Sequence, residues 1–349
     1  MQIRSLLFIL FCLIAIGSQA QDRHFSQFFA SPINLNPALT GAFSGTYRVA
    51  GNYRDQWRGV FENPIVTYST ALDTRFKVDL GTPTKDAFGV GLLFFSDRVN
   101  GIDFSTNQIM LSAAFHKNLG INSNQFLSLG VQGGIAQRNV NYERLDFEDQ
   151  FDGLDQYVGS TLEDLPPNNF SFGDVNVGLN YTAQITKTAA IFIGASLHHI
   201  FNPRISFYFD SEDNPDADER LFQKYSVQLS AQLKLNDKFD LIPRILIASQ
   251  GPHLRANVGS NLRIKLNNYS STALQLGTWA RPVRTESDFI DLDAIVAMVG
   301  LELNGVLIGF SYDASISDLG TFRQGQNSFE LSVSYIGNFE SDDIMCPSF

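Results

Sequence analysis

Between Tyr225 and Leu235 the chain reads YSVQLSAQLKL, alternating without a break between apolar and polar side chains. Tyr225, Val227, Leu229, Ala231, Leu233 and Leu235 share one parity; Ser226, Gln228, Ser230, Gln232 and Lys234 share the other. Successive side chains of a strand point to opposite faces, so this segment has one apolar face and one wet face. It is also as long as a tilted strand that crosses a bilayer, about 9–11 residues. Leu254–Leu266 repeats the design, with Leu254, Ala256, Val258, Leu262, Ile264 and Leu266 opposing Arg255, Asn257, Asn261, Arg263 and Lys265. Two such strands fit a closed sheet with lipid outside and a polar lumen within. They also fit a large soluble sandwich.

Membrane helices are excluded as the means of crossing beyond the N-terminal leader. A membrane helix needs about 20 consecutive apolar residues, and after that leader the longest apolar runs are short, Ile295–Leu301 among them. The leader, residues 1–20, has Arg4, an apolar stretch over Leu6–Ile16 and a small-x-small site at Ser18-Gln19-Ala20. This pattern predicts a secretory signal peptide and a mature chain starting at Gln21. Cys12 leaves with the leader, so Cys346 is alone and predicts no intrachain disulfide. Charged residues are only 17% of the chain and the net charge is −11. That charge argues against nucleic acid as a partner, because phosphate binding requires a basic surface.

The chain then divides into an irregular segment and a run of strands. Residues 21–43 lack a clean period and read as a periplasmic or plug segment. Residues 44–339 read as the barrel, and 340–349 as a C-terminal tail. About fourteen strands are expected, near 44–54, 65–76, 87–97, 102–117, 125–139, 172–185, 189–203, 223–235, 240–249, 254–266, 272–281, 289–301, 305–314 and 328–338. Outer-membrane barrels have short periplasmic turns and long outer loops. The two longest connections, Val140–Ser171 and Arg204–Phe222, both follow odd-numbered strands and so fall on one side. A soluble sandwich has no reason to obey that parity. The expected fold is therefore all-β, a transmembrane antiparallel barrel in the outer membrane. Tyr53, Trp57, Phe94, Phe95, Trp279 and Phe339 lie near strand ends, as interfacial aromatic girdles do.

Both long loops are acidic. Val140–Asn169 carries Glu143, Asp146, Glu148, Asp149, Asp152, Asp155, Glu163 and Asp164; Asp210–Arg220 carries Asp210, Glu212, Asp213, Asp216, Asp218 and Glu219. These are solvated faces or, alternatively, a calcium site or a surface for a basic partner. No spacing matches an EF-hand loop.

Signals for catalysis are weak. The five histidines are His24, His116, His198, His199 and His253, and none sits in a metal-binding motif. His198 and His199 are adjacent and are expected on opposite faces of a strand. Ser196 and His198 share a face, but an isolated Ser–His pair arises readily by chance. Gly130, Gly133, Gly134, Gly178 and Gly194 fall inside strands, where glycine marks a bend or a close approach.

Several short blocks identify a family resemblance. Gln21-Asp22, Phe25-Ser26-Gln27-Phe28, Pro32, Leu35-Asn36-Pro37-Ala38 and Gly41 resemble the opening of the PorP/SprF family. Tyr53-Arg54-Asp55-Gln56-Trp57 is similar to its Y-R-x-Q-W block. Further similar blocks are Gly194–His199 with Pro203, Ile242-Pro243, Leu276–Arg281, Gly309–Asp313 and the tail Cys346-Pro347-Ser348-Phe349. Departures are Ala280, where an aromatic is frequent, and Gln326–Glu330, where the family often has G-S-H-E. The resemblance implies a non-enzymatic barrel of the type IX secretion system of Bacteroidetes, with no cofactor. Its implied partners are outer-membrane lipid and other components of the machine. A SprF-like member would also hold a secreted adhesin with a type IX C-terminal domain; a PorP-like member would link to the periplasmic ring. A general solute porin is the remaining reading. Phe25, Gln27, Phe28, Asn34, Asn36, Pro37, Arg54, Gln56 and Trp57 are the residues expected to contact a partner or form a plug.

Overall fold

The computed structural model describes residues 24–58, 64–78, 86–120, 124–154, 156–208, 219–266, 272–285, 289–316 and 327–338. Outside them lie the leader with Gln21-Asp22, Asp155, the acidic run Asp210–Asp218, Gln326, Phe339 and the tail Cys346–Phe349.

Fourteen strands form one closed antiparallel barrel. They are β1 (Tyr47–Gln56), β2 (Ile65–Val78), β3 (Asp86–Val99), β4 (Phe104–Asn118), β5 (Gln125–Asn139), β6 (Asn169–Thr186) and β7 (Ala189–His198). The second half comprises β8 (Lys224–Lys234), β9 (Phe239–Gln250), β10 (His253–Lys265), β11 (Ala273–Arg284), β12 (Ile290–Leu303), β13 (Val306–Ser315) and β14 (Ser328–Gly337). Every strand pairs with its sequence neighbours. The ring is sealed by β1 on β14, from Tyr47 opposite Gly337 to Gln56 opposite Ser328. Closure leaves no sheet edge, which is the condition for a sheet to cross hydrocarbon. No helix among the described residues is long and apolar enough to cross a membrane.

Burial is inverted relative to a soluble protein. On β8, Tyr225, Val227 and Leu229 are exposed on the outer wall, while Ser226, Gln228 and Ser230 are buried inside. Leu111 on β4 and Leu129 on β5 are 68% and 64% exposed. An apolar surface this extensive is stable only against lipid.

The described connections after even-numbered strands, β6–β7, β8–β9 and β12–β13, are tight. At the β12–β13 hairpin, Asn304 and Gly305 have φ of 50° and 84°. Those positive values match a type I′ turn, for which Asn-Gly is the preferred pair. This end faces the periplasm, and the long β5–β6 and β7–β8 connections face outward.

Two details differ from the sequence reading. β7 stops at His198, because His199 (φ 59°) and Asn202 (φ 45°) adopt left-handed backbone that no strand continues. The aromatic girdle loses two members: Phe95 and Trp279 are buried in the lumen. On β11 the outward parity belongs to Leu276, Thr278 and Ala280, so Trp279 points inward.

Candidate functional site: the occupied lumen

Residues 24–43 lie inside the barrel. His24, near Lys224 at the start of β8 and Arg255 at the start of β10, is at the outer end. Phe43, whose carbonyl accepts from Arg75 Nη1 at 3.1 Å, is at the periplasmic end. The segment thus descends the lumen before β1 begins. It is built from short turns, Phe28–Ala30, Pro32–Leu35 and Pro37–Leu39, the last two opened by prolines. Short turns leave many backbone groups unpaired within the segment, and the barrel wall supplies partners for several of them.

At the outer end four charged side chains converge. Arg54 on β1 pairs with Glu330 on β14 and lies 3.3 Å from Asp313 on β13; Arg281 on β11 pairs with Asp313. All four are at most 4% exposed. Ser26 sits among them: its amide donates to Glu330 Oε1 at 2.5 Å and its hydroxyl donates to Asp313 Oδ2 at 2.5 Å. Arg54 Nη1 in turn donates to Ser26 Oγ at 2.8 Å. Gln27 continues the bond pattern. Its amide donates to Glu330 Oε2 at 2.9 Å, its side-chain nitrogen to Ser311 Oγ at 3.0 Å, and its side-chain oxygen accepts from Ser332 at 2.7 Å. Two guanidiniums against two carboxylates keep this buried group neutral, and Ser26 and Gln27 supply further hydrogen bonds to the carboxylates, leaving Asp313 Oδ1 without one. A buried ionic network is tolerated on those terms.

The middle of the segment packs by shape. Phe25 meets Phe95 edge-on at 6.0 Å. Phe28 and Phe29 cluster with Leu246, Trp279, Val296 and Met298 on the inner wall of β9, β11 and β12. Trp279 lies 5.7 Å from Phe29, and the Arg244 guanidinium lies 4.2 Å over the Phe29 ring. Ile33 fills a second cluster with Leu93 and Met110.

Asn36 is fully buried and makes three bonds. Its side-chain oxygen accepts from Ala38 N at 2.9 Å, capping the Pro37–Leu39 turn. Its nitrogen donates to the wall carbonyls of Leu179 and Ala195 at 3.1 and 3.2 Å. The wall here is a paired glycine floor, Gly130 opposite Gly178. A Cβ on Gly130 would fall 2.3 Å from Ala38 N, and one on Gly178 would fall 1.8 Å from Asn36 Oδ1. These glycines serve close approach of the plug to the wall.

Polar contacts resume at the periplasmic end. Asp73 accepts from Gly41 N at 2.7 Å and from Arg48 Nε at 2.9 Å, while Arg48 also donates to Leu39 O at 3.1 Å. His116 Nε2 donates to Thr40 O at 2.8 Å.

Of the residues singled out in the sequence, Phe25, Gln27, Phe28, Asn36, Pro37 and Arg54 meet in this plug–wall contact. Asn34 is half-buried and lines a 30 Å³ cavity near His24. Gln56 accepts from Arg54 Nε at 3.3 Å, and Trp57 (φ 63°) donates its backbone amide to Asn327 O at the rim. Sequence reasoning missed Asp313, Glu330, Arg281, Asp73 and His116 as plug holders. The available signal was an ionisable residue on the lumen parity of its strand.

Ser196 Oγ and His198 Nε2 are 3.1 Å apart. Both also reach Leu35 O, at 3.0 and 3.3 Å, so the pair holds the plug backbone. His198 and His199 are both buried inside the barrel, contrary to the opposite faces expected, because the left-handed turn at His199 ends the alternation. His199 Nδ1 lies 2.9 Å from Asp174 Oδ2. Among the described residues no three His, Cys, Asp or Glu side chains are grouped for a metal ion. In the β5–β6 loop, Asp149 accepts from Leu162 N at 2.5 Å and Thr161 Oγ1 at 2.8 Å, and Asp152 from Leu154 N at 2.8 Å.

The family described as "Type IX secretion system membrane protein PorP/SprF" matches residues 17–335. The chain belongs to the PorP/SprF family. It is thus an outer-membrane barrel of a secretion system, and neither family nor fold is that of a known enzyme class. Membership implies contact with other secretion components. No curated protein matches the chain. The Pseudomonas putida toluene transporter TodX is similar in structure, with a TM-score of 0.50 and 14% identity over 88% of this chain and 93% of that one. A Pseudomonas aeruginosa FadL homologue has a TM-score of 0.46 and 12% identity over 88% and 94%. BamA from Haemophilus ducreyi has 0.44 and 10% over 84% and 70%. At these identities the TodX likeness speaks for the PorP/SprF fold alone.

Proposed function

We propose that this PorP/SprF barrel is a non-enzymatic, SprF-like partner barrel that helps export a secreted adhesin and anchors it at the cell surface. The observation that carries this reading is the occupied lumen. A segment held along its length by buried ion pairs, wall carbonyls and an aromatic cluster is ill-suited to passive solute flow. A barrel closed in this way acts through the surfaces it presents: the outer loops to one partner, the periplasmic mouth to another.

The direct experiment is affinity isolation of the tagged barrel from outer membranes. Recovery of a large surface adhesin, together with release of that adhesin into the medium when the barrel is deleted, supports the proposal. Recovery of periplasmic ring components without an adhesin would instead favour a PorP-like link. The porin alternative is tested separately in planar bilayers: steady open-channel conductance by the unaltered protein would favour it.

A further inference from the structure

A cavity lies below the plug. Its volume is about 430 Å³, within the range of small-ligand pockets. All its wall residues sit at the tight-turn end: Arg48 begins β1, Gln232 ends β8, Arg244 is early in β9, Arg263 ends β10, Gln275 begins β11 and Glu302 ends β12. Phe29 of the plug forms part of its boundary. The cavity is therefore on the periplasmic side.

We propose that this cavity is a receptor site for an extended peptide segment bearing a carboxylate, presented from the periplasm. Charge is the first argument. The carboxylate in the lining, Glu302, is already engaged by Arg263 at 2.5 Å; behind the lining, Asp240 is engaged by Arg263 at 3.0 Å and Lys265 at 3.3 Å, and Asp73 by Arg48 at 2.7 Å. Of the charged residues that line the cavity, Arg48, Arg244 and Arg263 are positive and Glu302 is negative, so an incoming anion meets a net positive wall. Geometry is the second. Arg244 stacks on Phe29 by its face, whereas a guanidinium recognises a carboxylate by its edge. Stacking and carboxylate binding by Arg244 are therefore compatible.

The rest of the lining suits a peptide better than a bare inorganic anion. Gln232 offers an amide of the kind that pairs with a peptide backbone, while Gln275 is spent on the wall, donating to Glu302 at 2.5 Å and accepting from Asn261 at 3.2 Å. Ile242 and Leu307 supply apolar wall for a side chain. The site stands apart from the identity of the surface partner: a barrel that retains no adhesin still has this cavity.

The test is calorimetric titration of the full mature barrel in detergent with N-acetyl-Gly-Leu-Asp amide, its neutral N-acetyl-Gly-Leu-Asn amide counterpart, and inorganic phosphate. The acidic peptide is expected to bind at least tenfold more tightly than the neutral one. Arg244→Gln should abolish that preference, and Ser334→Phe, which fills the cavity without removing a charge, should abolish binding. Heat-modifiable gel mobility checks that each variant is folded. Equal binding of the acidic and neutral peptides, or undiminished binding by folded Ser334→Phe, overturns the proposal. Phosphate competing as well as the peptide overturns its peptide part.

Discussion

Asn36 Oδ1 occupies the space where Gly178 would carry a Cβ, 1.8 Å from that position. The plug and the wall are therefore complementary at the level of a single missing methyl group. Asn36 cannot simply swing aside, because its oxygen caps the Pro37–Leu39 turn and its nitrogen is held by two wall carbonyls.

Gly178→Ala and Gly130→Ala should each lower stability by about 1–3 kcal/mol, the usual cost of overpacking. Gly130→Ala is expected to be the more severe, because it meets plug backbone at 2.3 Å. Gly133→Ala is the control: it meets nothing closer than 3.9 Å and should change stability by less than about 0.5 kcal/mol. Urea unfolding in lipid vesicles would separate the three.

Arg54→Met leaves Glu330 and Asp313 sharing only Arg281 in a buried site. Breaking a buried pair in this way costs about 3–5 kcal/mol. The double variant Arg54→Met with Glu330→Gln restores neutrality and should recover part of that loss. A double-mutant cycle on unfolding midpoints reads the coupling. Strict additivity would mean that the two side chains are not coupled.

Trp279 can report on the plug. The chain has two tryptophans, so Trp57→Phe leaves Trp279 as the sole tryptophan, selectively excited at the red edge of absorption and 2% exposed beside Phe29. Arg54→Met in that background should shift its emission to the red and raise quenching by acrylamide. Leu162→Ser in the outer loop should do neither. An unchanged spectrum in Arg54→Met would show that the plug holds without its outer-end ion pair.

The Leu162 and Thr161 bonds to Asp149 in the β5–β6 loop hold its carboxyl below the usual carboxylate range, the Leu162 backbone bond contributing most. A depressed folded value means that the tie is fully present above the unfolded value and is lost as pH falls through the folded one. Protection of the Leu162 amide, measured against its intrinsic exchange rate, should therefore hold at neutral pH and fall only as pH drops below the ordinary carboxylate range. Asp149→Asn should remove that acid transition. A Leu162 amide whose protection did not depend on the Asp149 carboxylate would contradict the assignment.

The wall was legible from sequence because its signal is local. A period of two assigns each residue to lipid or lumen, and β8 follows that rule from Tyr225 to Ser230. The same rule, applied to β11, would have placed Trp279 inside; reading it as a girdle residue relied on nearness to a strand end instead. The plug contacts were not legible because they are remote. Ser26 and Glu330 are 304 positions apart, and parity says that Glu330 faces the lumen without saying what it meets there. His199 escaped for a third reason, since a single left-handed residue after a strand leaves no periodic trace.

The descending plug has a consequence for how the ring holds together. Ser26 and Gln27 are bonded to Glu330 on the last strand, and Ser26 is also bonded to Arg54 on the first. The segment therefore bridges the seam that completes the ring. A segment bonded to both the first and the last strand ties the two ends of the sheet together, so its removal is expected to loosen the cylinder at that seam before anywhere else.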